Sequence, residues 1–186
     1  MSKRSIKAFN PERLALIDTQ MLKAYYSHKF FKLFLLLTRL FREQVGTSYV
    51  VNIRLGYYST RAAVAFRRTG DLEQTEAFLA KFYRLVDKHA VEEIDAEKVA
   101  KAELHYWLVH RYPKRYKEPL TQAVSKAKAT LFNVSPQRLE EFSEQYVAAT
   151  NIRDEATHVN RVEPDWQAMR KHFEKAYISL SRSINS

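Results

Sequence analysis

The chain has 186 residues, 46% of them hydrophobic and 13% aromatic, with 31 Lys/Arg against 21 Asp/Glu and a formal charge of +10. It contains no cysteine, which excludes disulfides, thiolate metal sites, iron–sulfur clusters and a cysteine nucleophile, and fits a cytoplasmic protein. Only three glycines and five prolines are present, too few for the turns of an all-β chain, so the expectation is an all-α, single-domain bundle of about seven helices.

Residues 1–10 read as a flexible N-terminal tail without the apolar stretch of a signal peptide. Asn10-Pro11 is a helix start, with proline at the first helical position. Leu14, Ile17 and Met21 continue one apolar face to about Tyr26. The phase then changes, since Lys32, Arg39 and Arg42 occupy the same angular sector. Residues 11–45 are therefore two helices, or one kinked near Ser27-His28. The apolar run 30–41 is interrupted by Lys32 and Arg39 and is too short to span a bilayer.

Gly46 and Gly70 bracket the next helix. It is apolar nearly all round, which places a helix near residues 47–69 at the centre of the bundle. Arg54, Arg61 and Arg68 recur on it at seven-residue spacing. Gly70-Asp71 ends it and starts a helix that buries Phe78, Phe82, Leu85 and Val86. Asp95 is the N-cap of the following helix, which ends before Pro113 because the residue preceding proline avoids the α region. Residues 117–132 form another helix. Ser135-Pro136 opens one that runs to about Val159. The last starts at Glu163-Pro164 and carries a stripe of Trp166, Met169, Phe173, Ala176, Tyr177 and Leu180.

Charge is unevenly placed. Residues 1–70 hold 13 Lys/Arg against three acids (Glu12, Asp18 and Glu43), whereas residues 71–186 hold 18 of each. Such an excess suits nucleic acid, an acidic protein or an anionic membrane surface, and it also serves solubility. Tyr25-Tyr26-Ser-His28-Lys29-Phe30-Phe31-Lys32 interleaves aromatics with cations, which matches single-stranded nucleic acid or a membrane surface. It equally describes a core helix with a narrow solvated strip.

Three motifs point to chemistry and fail on inspection. Glu155-Ala-Thr-His158 is one Glu-x-x-His, where di-iron bundles need two plus further glutamates facing inward. This one shares a helix face with Glu141 and Glu144 and reads as solvated. His89, Glu103 and His110 form a two-histidine, one-carboxylate set. Residues 103 and 110 are nevertheless about 10 Å apart along one helix, so one ion does not reach all three. Ala129–Phe142 has helix-turn-helix spacing, but its second helix presents Gln137, Glu140, Glu141 and Glu144, which repel phosphates. No nucleophile–base pair, glycine-rich phosphate loop or GxSxG is legible. No metal and no cofactor is implied, and the chain indicates neither an enzyme nor its absence.

What remains is charge on apolar faces. At about 100° per residue, Glu103 and His110 share a face with Ala96, Val99, Ala100, Tyr106 and Trp107. A carboxylate there must find a partner. Arg153 lies on the core face of its helix beside Asp154, and Arg54, with Tyr57 next to Gly56, lies on the apolar helix. One reading pairs Glu103 with an arginine as a structural bridge. The other makes Arg54, Tyr57, Glu103, His110 and Arg153 a pocket for a small anionic ligand. In that pocket the arginines clamp the anion, Glu103 orients one of them and His110 donates a hydrogen bond. The basic first 45 residues offer an alternative, binding nucleic acid or an anionic surface. The Phe30–Phe41 face offers a third, as an oligomer or scaffold contact.

Overall fold

The computed structural model describes residues 3–186, apart from the side chains of His158 and Val159. It is 81% helix and shows no strand among the described residues. Nine α-helices follow one another: α1 (Pro11–Tyr26), α2 (Phe30–Val45), α3 (Tyr49–Val64), α4 (Leu72–His89), α5 (Ala96–Arg111), α6 (Pro113–Tyr116), α7 (Leu120–Phe132), α8 (Glu140–Asp154) and α9 (Trp166–Asn185). The count exceeds the expected seven for two reasons. The 11–45 stretch divides in two, and one helical turn forms after Pro113.

The boundaries follow local chemistry. Asn10, Asp71 and Asp95 cap α1, α4 and α5, accepting from the backbone N–H groups of Arg13, Gln74 and Lys98 at 2.9, 2.8 and 3.0 Å. Each satisfies one of the donors a helix leaves open at its start. Between α1 and α2 the chain turns through His28 at φ 56°, the change of phase seen in the sequence. Gly46 and Gly70, at φ 63° and 66°, end α2 and the π-turn Ala65–Thr69 that extends α3. Ser135-Pro136 opens a 3-10 turn, Pro136–Leu139, before α8 begins. The last helix starts at Trp166, with Asp165 as its cap, two residues after the expected proline.

Packing closes a ring. Each long helix lies against the one before and the one after it, and α9 returns to pack on α1. Eight long helices therefore alternate in direction around a common interior. The antiparallel closure is visible along α1 and α9. Tyr177 meets Asp18 mid-way, Lys23 sits over Trp166 at one end, and Lys7 O accepts from Asn185 at the other. Leu14, Leu139, Phe142, Met169, Phe173 and Leu180 are among the most deeply buried apolar side chains. No helix among the described residues is long and apolar enough to cross a membrane.

Two expectations are corrected. The helix expected at the centre, α3, is an ordinary member of the ring, packed between α2 and α4. Tyr49, Val50 and Tyr57 on its outer face are exposed. Its main packing partners are those two neighbours, and its outer side is open to solvent. Residues 4–6 of the segment expected as a tail are held against the α4–α5 connection. Ile6 is buried, Val91 N donates to Arg4 O at 3.1 Å, and Ile6 N donates to the Glu92 carboxylate at 3.0 Å. A buried isoleucine and a carboxylate acceptor on the α4–α5 connection account for this ordering.

Gly56 lies where α3 meets α2. A Cβ there would press on the Thr38 side chain and come within 3.2 Å of Thr38 N and 3.3 Å of Phe34 O. Alanine would gain about 1 kcal/mol of helix propensity, but overpacking against backbone costs about 1–3 kcal/mol. Gly56→Ala is therefore expected to lower stability in urea denaturation. A gain would show that α2 and α3 separate freely.

Candidate functional site

Polar side chains from six of the ring helices meet inside it. Asp18 comes from α1 and is buried. Tyr177 on α9 donates its hydroxyl to Asp18 Oδ2 at 2.7 Å. Glu103 on α5 accepts from its own helix, Trp107 Nε1, at 3.0 Å, and lies 3.8 Å from Lys128 Nζ on α7. Tyr83 on α4, Tyr106 on α5 and Tyr146 on α8 complete the layer. Burial raises the Asp18 carboxyl to about 6, opposed by the Tyr177 hydrogen bond and by Lys128 and reinforced by Glu103. Burial also pushes the hydroxyls of Tyr83, Tyr146 and Tyr177 far up, helped by the neighbouring carboxylates. These tyrosines stay protonated at any physiological pH and serve as donors.

A second layer lies one helical turn from Tyr106, toward one rim of the ring. The His110 ring stacks on Tyr106 at 6.3 Å between centroids. Its Nε2 is 3.0 Å from Asp154 Oδ2 and 3.3 Å from an Arg153 terminal nitrogen. One nitrogen does not donate to the acid and accept from the guanidinium at once. The adjacent carboxylate selects the Nε2–H form, which donates to Asp154. The Arg153 side chain is only 2% exposed, its terminal nitrogen lies 2.6 Å from Asp154 Oδ1, and its Cζ stands 3.9 Å from the Tyr26 ring centroid. Arg153 Nε is buried with no hydrogen-bond partner.

A second guanidinium reaches the same tyrosine. Arg67, in the π-turn after α3, lies with Cζ 5.3 Å from the Tyr26 ring and 4.8 Å from the Tyr25 ring, and bonds His28 Nε2 at 3.0 Å. Arg111 donates to the backbone oxygen of Phe66 and covers that ring. Neither Arg67 nor Arg111 has a carboxylate partner among the described residues. Asp154 and His110 remain partly exposed, so this layer borders solvent.

The five residues expected to share a pocket are thus divided. His110 and Arg153 meet. Glu103 sits one layer away and takes Lys128 and Trp107 in place of an arginine. Arg54 and Tyr57 do not join them, because both lie on the exposed face of α3. The second guanidinium near His110 and Arg153 is the half-exposed Arg67, which lies just beyond the apolar pattern of α3. Asp18 was missed. It falls among Leu14, Ile17 and Met21, so the rule that singled out Glu103 would have found it.

The other motifs find their places. Gln137, Glu140, Glu141 and Glu144 are exposed, so the helix-turn-helix spacing is an ordinary corner turned by Asn133 at φ 51°. Among the described residues no three His, Asp or Glu side chains are grouped to hold a metal, and the His158 side chain of Glu-x-x-His lies outside them. Comparison with protein-family models, curated proteins and solved structures finds no match to this chain.

Proposed function

We propose that the protein binds a small anionic molecule, a phosphate or carboxylate, at the rim of the ring between Arg67 and Arg153. The observation that carries this is Arg153. It is a guanidinium withdrawn from water whose Nε finds no acceptor, and the ring it covers, Tyr26, is shared with a second arginine that has no carboxylate partner among the described residues. Buried donors are normally satisfied, and a guanidinium with an Nε–H to spare suits an oxyanion. In this reading Arg67 and Arg153 hold the anion, Tyr26 supports both guanidinium groups, and His110, oriented by Asp154, lines the site. Glu103, Asp18 and Lys128 form the floor beneath and keep the interior close to neutral.

Thermal unfolding with inorganic phosphate and a set of small carboxylates tests this. At about 100 times Kd, a ligand of the native state adds about 2.7 kcal/mol. Arg67→Ala should leave the unliganded protein within about 1 kcal/mol of wild type, since it loses half-exposed cation–π contacts. It should also weaken the ligand's effect at least about tenfold, as expected for one lost charge-assisted contact. If no anion raises the midpoint, the cluster holds the fold together and nothing more.

A further inference from the structure

The outer face of α2 and α3 combines exposed apolar side chains with a surplus of cations. From Lys29 to Thr69 the chain carries eight Lys/Arg and one acid, Glu43. Glu43 is taken by Arg13 at 3.1 Å. On α2, Phe31, Leu35, Arg39 and Arg42 fall within about 80° of the helix circumference, with Lys32 alongside. On α3, Val50, Arg54, Tyr57 and Arg61 form a stripe at i, i+4, i+7 and i+11. All of these side chains are exposed. Phe31 is 75% exposed and Val50 66%. The two helices lie against each other at Gly56 and Thr38, so the stripes form one continuous surface. Lys32, Arg39, Arg42 and Arg54 have no carboxylate partner among the described residues.

Exposed apolar side chains on this scale need a reason. A second copy of the same face would bring like charges together. Nucleic acid would satisfy the cations and could stack on Phe31, Tyr49 and Tyr57, but it has no use for Leu35 or Val50. A lipid surface satisfies both kinds of residue. Apolar side chains enter the boundary between headgroups and acyl chains, while arginines and lysines lie along it with their charges among anionic headgroups. We infer that the α2–α3 face docks the protein on a membrane surface rich in anionic lipid. The fold supplies rigidity, so two short stripes act together where an isolated helix of either sequence would first have to order itself.

Co-sedimentation with vesicles tests this independently of the rim site. Vesicles of phosphatidylcholine mixed with phosphatidylserine should bind the protein at low salt, and pure phosphatidylcholine should not. Raising salt should release it, because exposed charges are screened. Lys32→Glu with Arg54→Glu should lower partitioning about 30-fold or more. Phe31→Ser with Val50→Ser should also lower it, with charge unchanged. Both pairs are exposed, so circular dichroism should show intact folds. The proposal is overturned if anionic vesicles do not bind, or if the Phe31→Ser, Val50→Ser pair binds them unaltered. Gel-shift binding of an oligonucleotide that ignores the apolar pair, without vesicle binding, would assign the face to nucleic acid instead.

Discussion

Replacing Arg153 by alanine is expected to cost the fold about 3 kcal/mol, the low end for breaking a buried ion pair because Asp154 keeps some contact with water. The guanidinium holds three things together: the Asp154 carboxylate, the face of Tyr26 and, through Asp154, the orientation of His110. Its removal takes the guanidinium from a half-buried carboxylate and opens a void beside an aromatic ring. The Arg153→Ala, Asp154→Ala pair should lose less than the sum of the two single changes, since each single change strands a partner. Urea denaturation of the four proteins measures this. A loss under about 1 kcal/mol for Arg153→Ala, too small for a buried pair, would mean that the guanidinium is not gripped by this set, and the rim site would lose its foundation.

Asp18 gives the second large effect, as a pH dependence. Its carboxyl is raised from 3.8 to about 6 by burial. The folded state therefore binds the proton more tightly than the unfolded chain does. The associated stability is present in full below about pH 4 and is lost as pH rises through about 6, a change of about 3 kcal/mol. Asp18→Asn keeps an acceptor for the Tyr177 hydroxyl and carries no charge. The difference between variant and wild type should be small near pH 4 and grow in the variant's favour by about 2–3 kcal/mol toward pH 8. Urea midpoints across that range report the difference directly, with other titrating groups cancelling. A flat difference would place the carboxyl in water. If the gain appears, the interior charge is retained at a cost in stability, as sites that bind polar ligands commonly are.

The two effects separate the two layers of the interior. Arg153 belongs to the rim, where unpaired donors remain, and its loss should remove any anion effect along with stability. Asp18 belongs to the floor, where each acid faces tyrosine, tryptophan or lysine donors. Asp18→Asn should leave anion binding unchanged within about threefold, given the screening of a charge one layer away.

Much of the helical framework was legible because it depends on neighbours in sequence. Asn10, Asp71 and Asp95 act as caps through backbone groups three residues on, and Gly46 and Gly70 end helices by adopting φ values that other residues resist. The break at Ser27-His28 showed in the phase of the apolar residues. The stripe on α9, from Trp166 to Leu180, lies where its period places it. Element boundaries slipped where a local motif was read alone, as at Pro164, where Asp165 is the better cap.

The site was legible only in part. Periodicity says that Glu103, His110 and Arg153 face inward, and they do. It says nothing about which inward residues meet, because that depends on the order in which helices are arranged around the interior. Arg54 and Tyr57 illustrate the failure. On α3 the apolar residues run all round the helix, so no face could be named as the inner one, and the outer one was taken for part of the core.

Capping chemistry, glycine φ values and helical periodicity are contained in stretches of a few residues, so the chain alone determined that this protein is all helix and roughly where each helix stops. Closure of the eight long helices into a ring was decided by tertiary packing. So were the approach of both Arg67 and Arg153 to the Tyr26 ring and the exposure of the α2–α3 face. These depend on contacts between residues far apart in the chain, whose pairing no local pattern encodes.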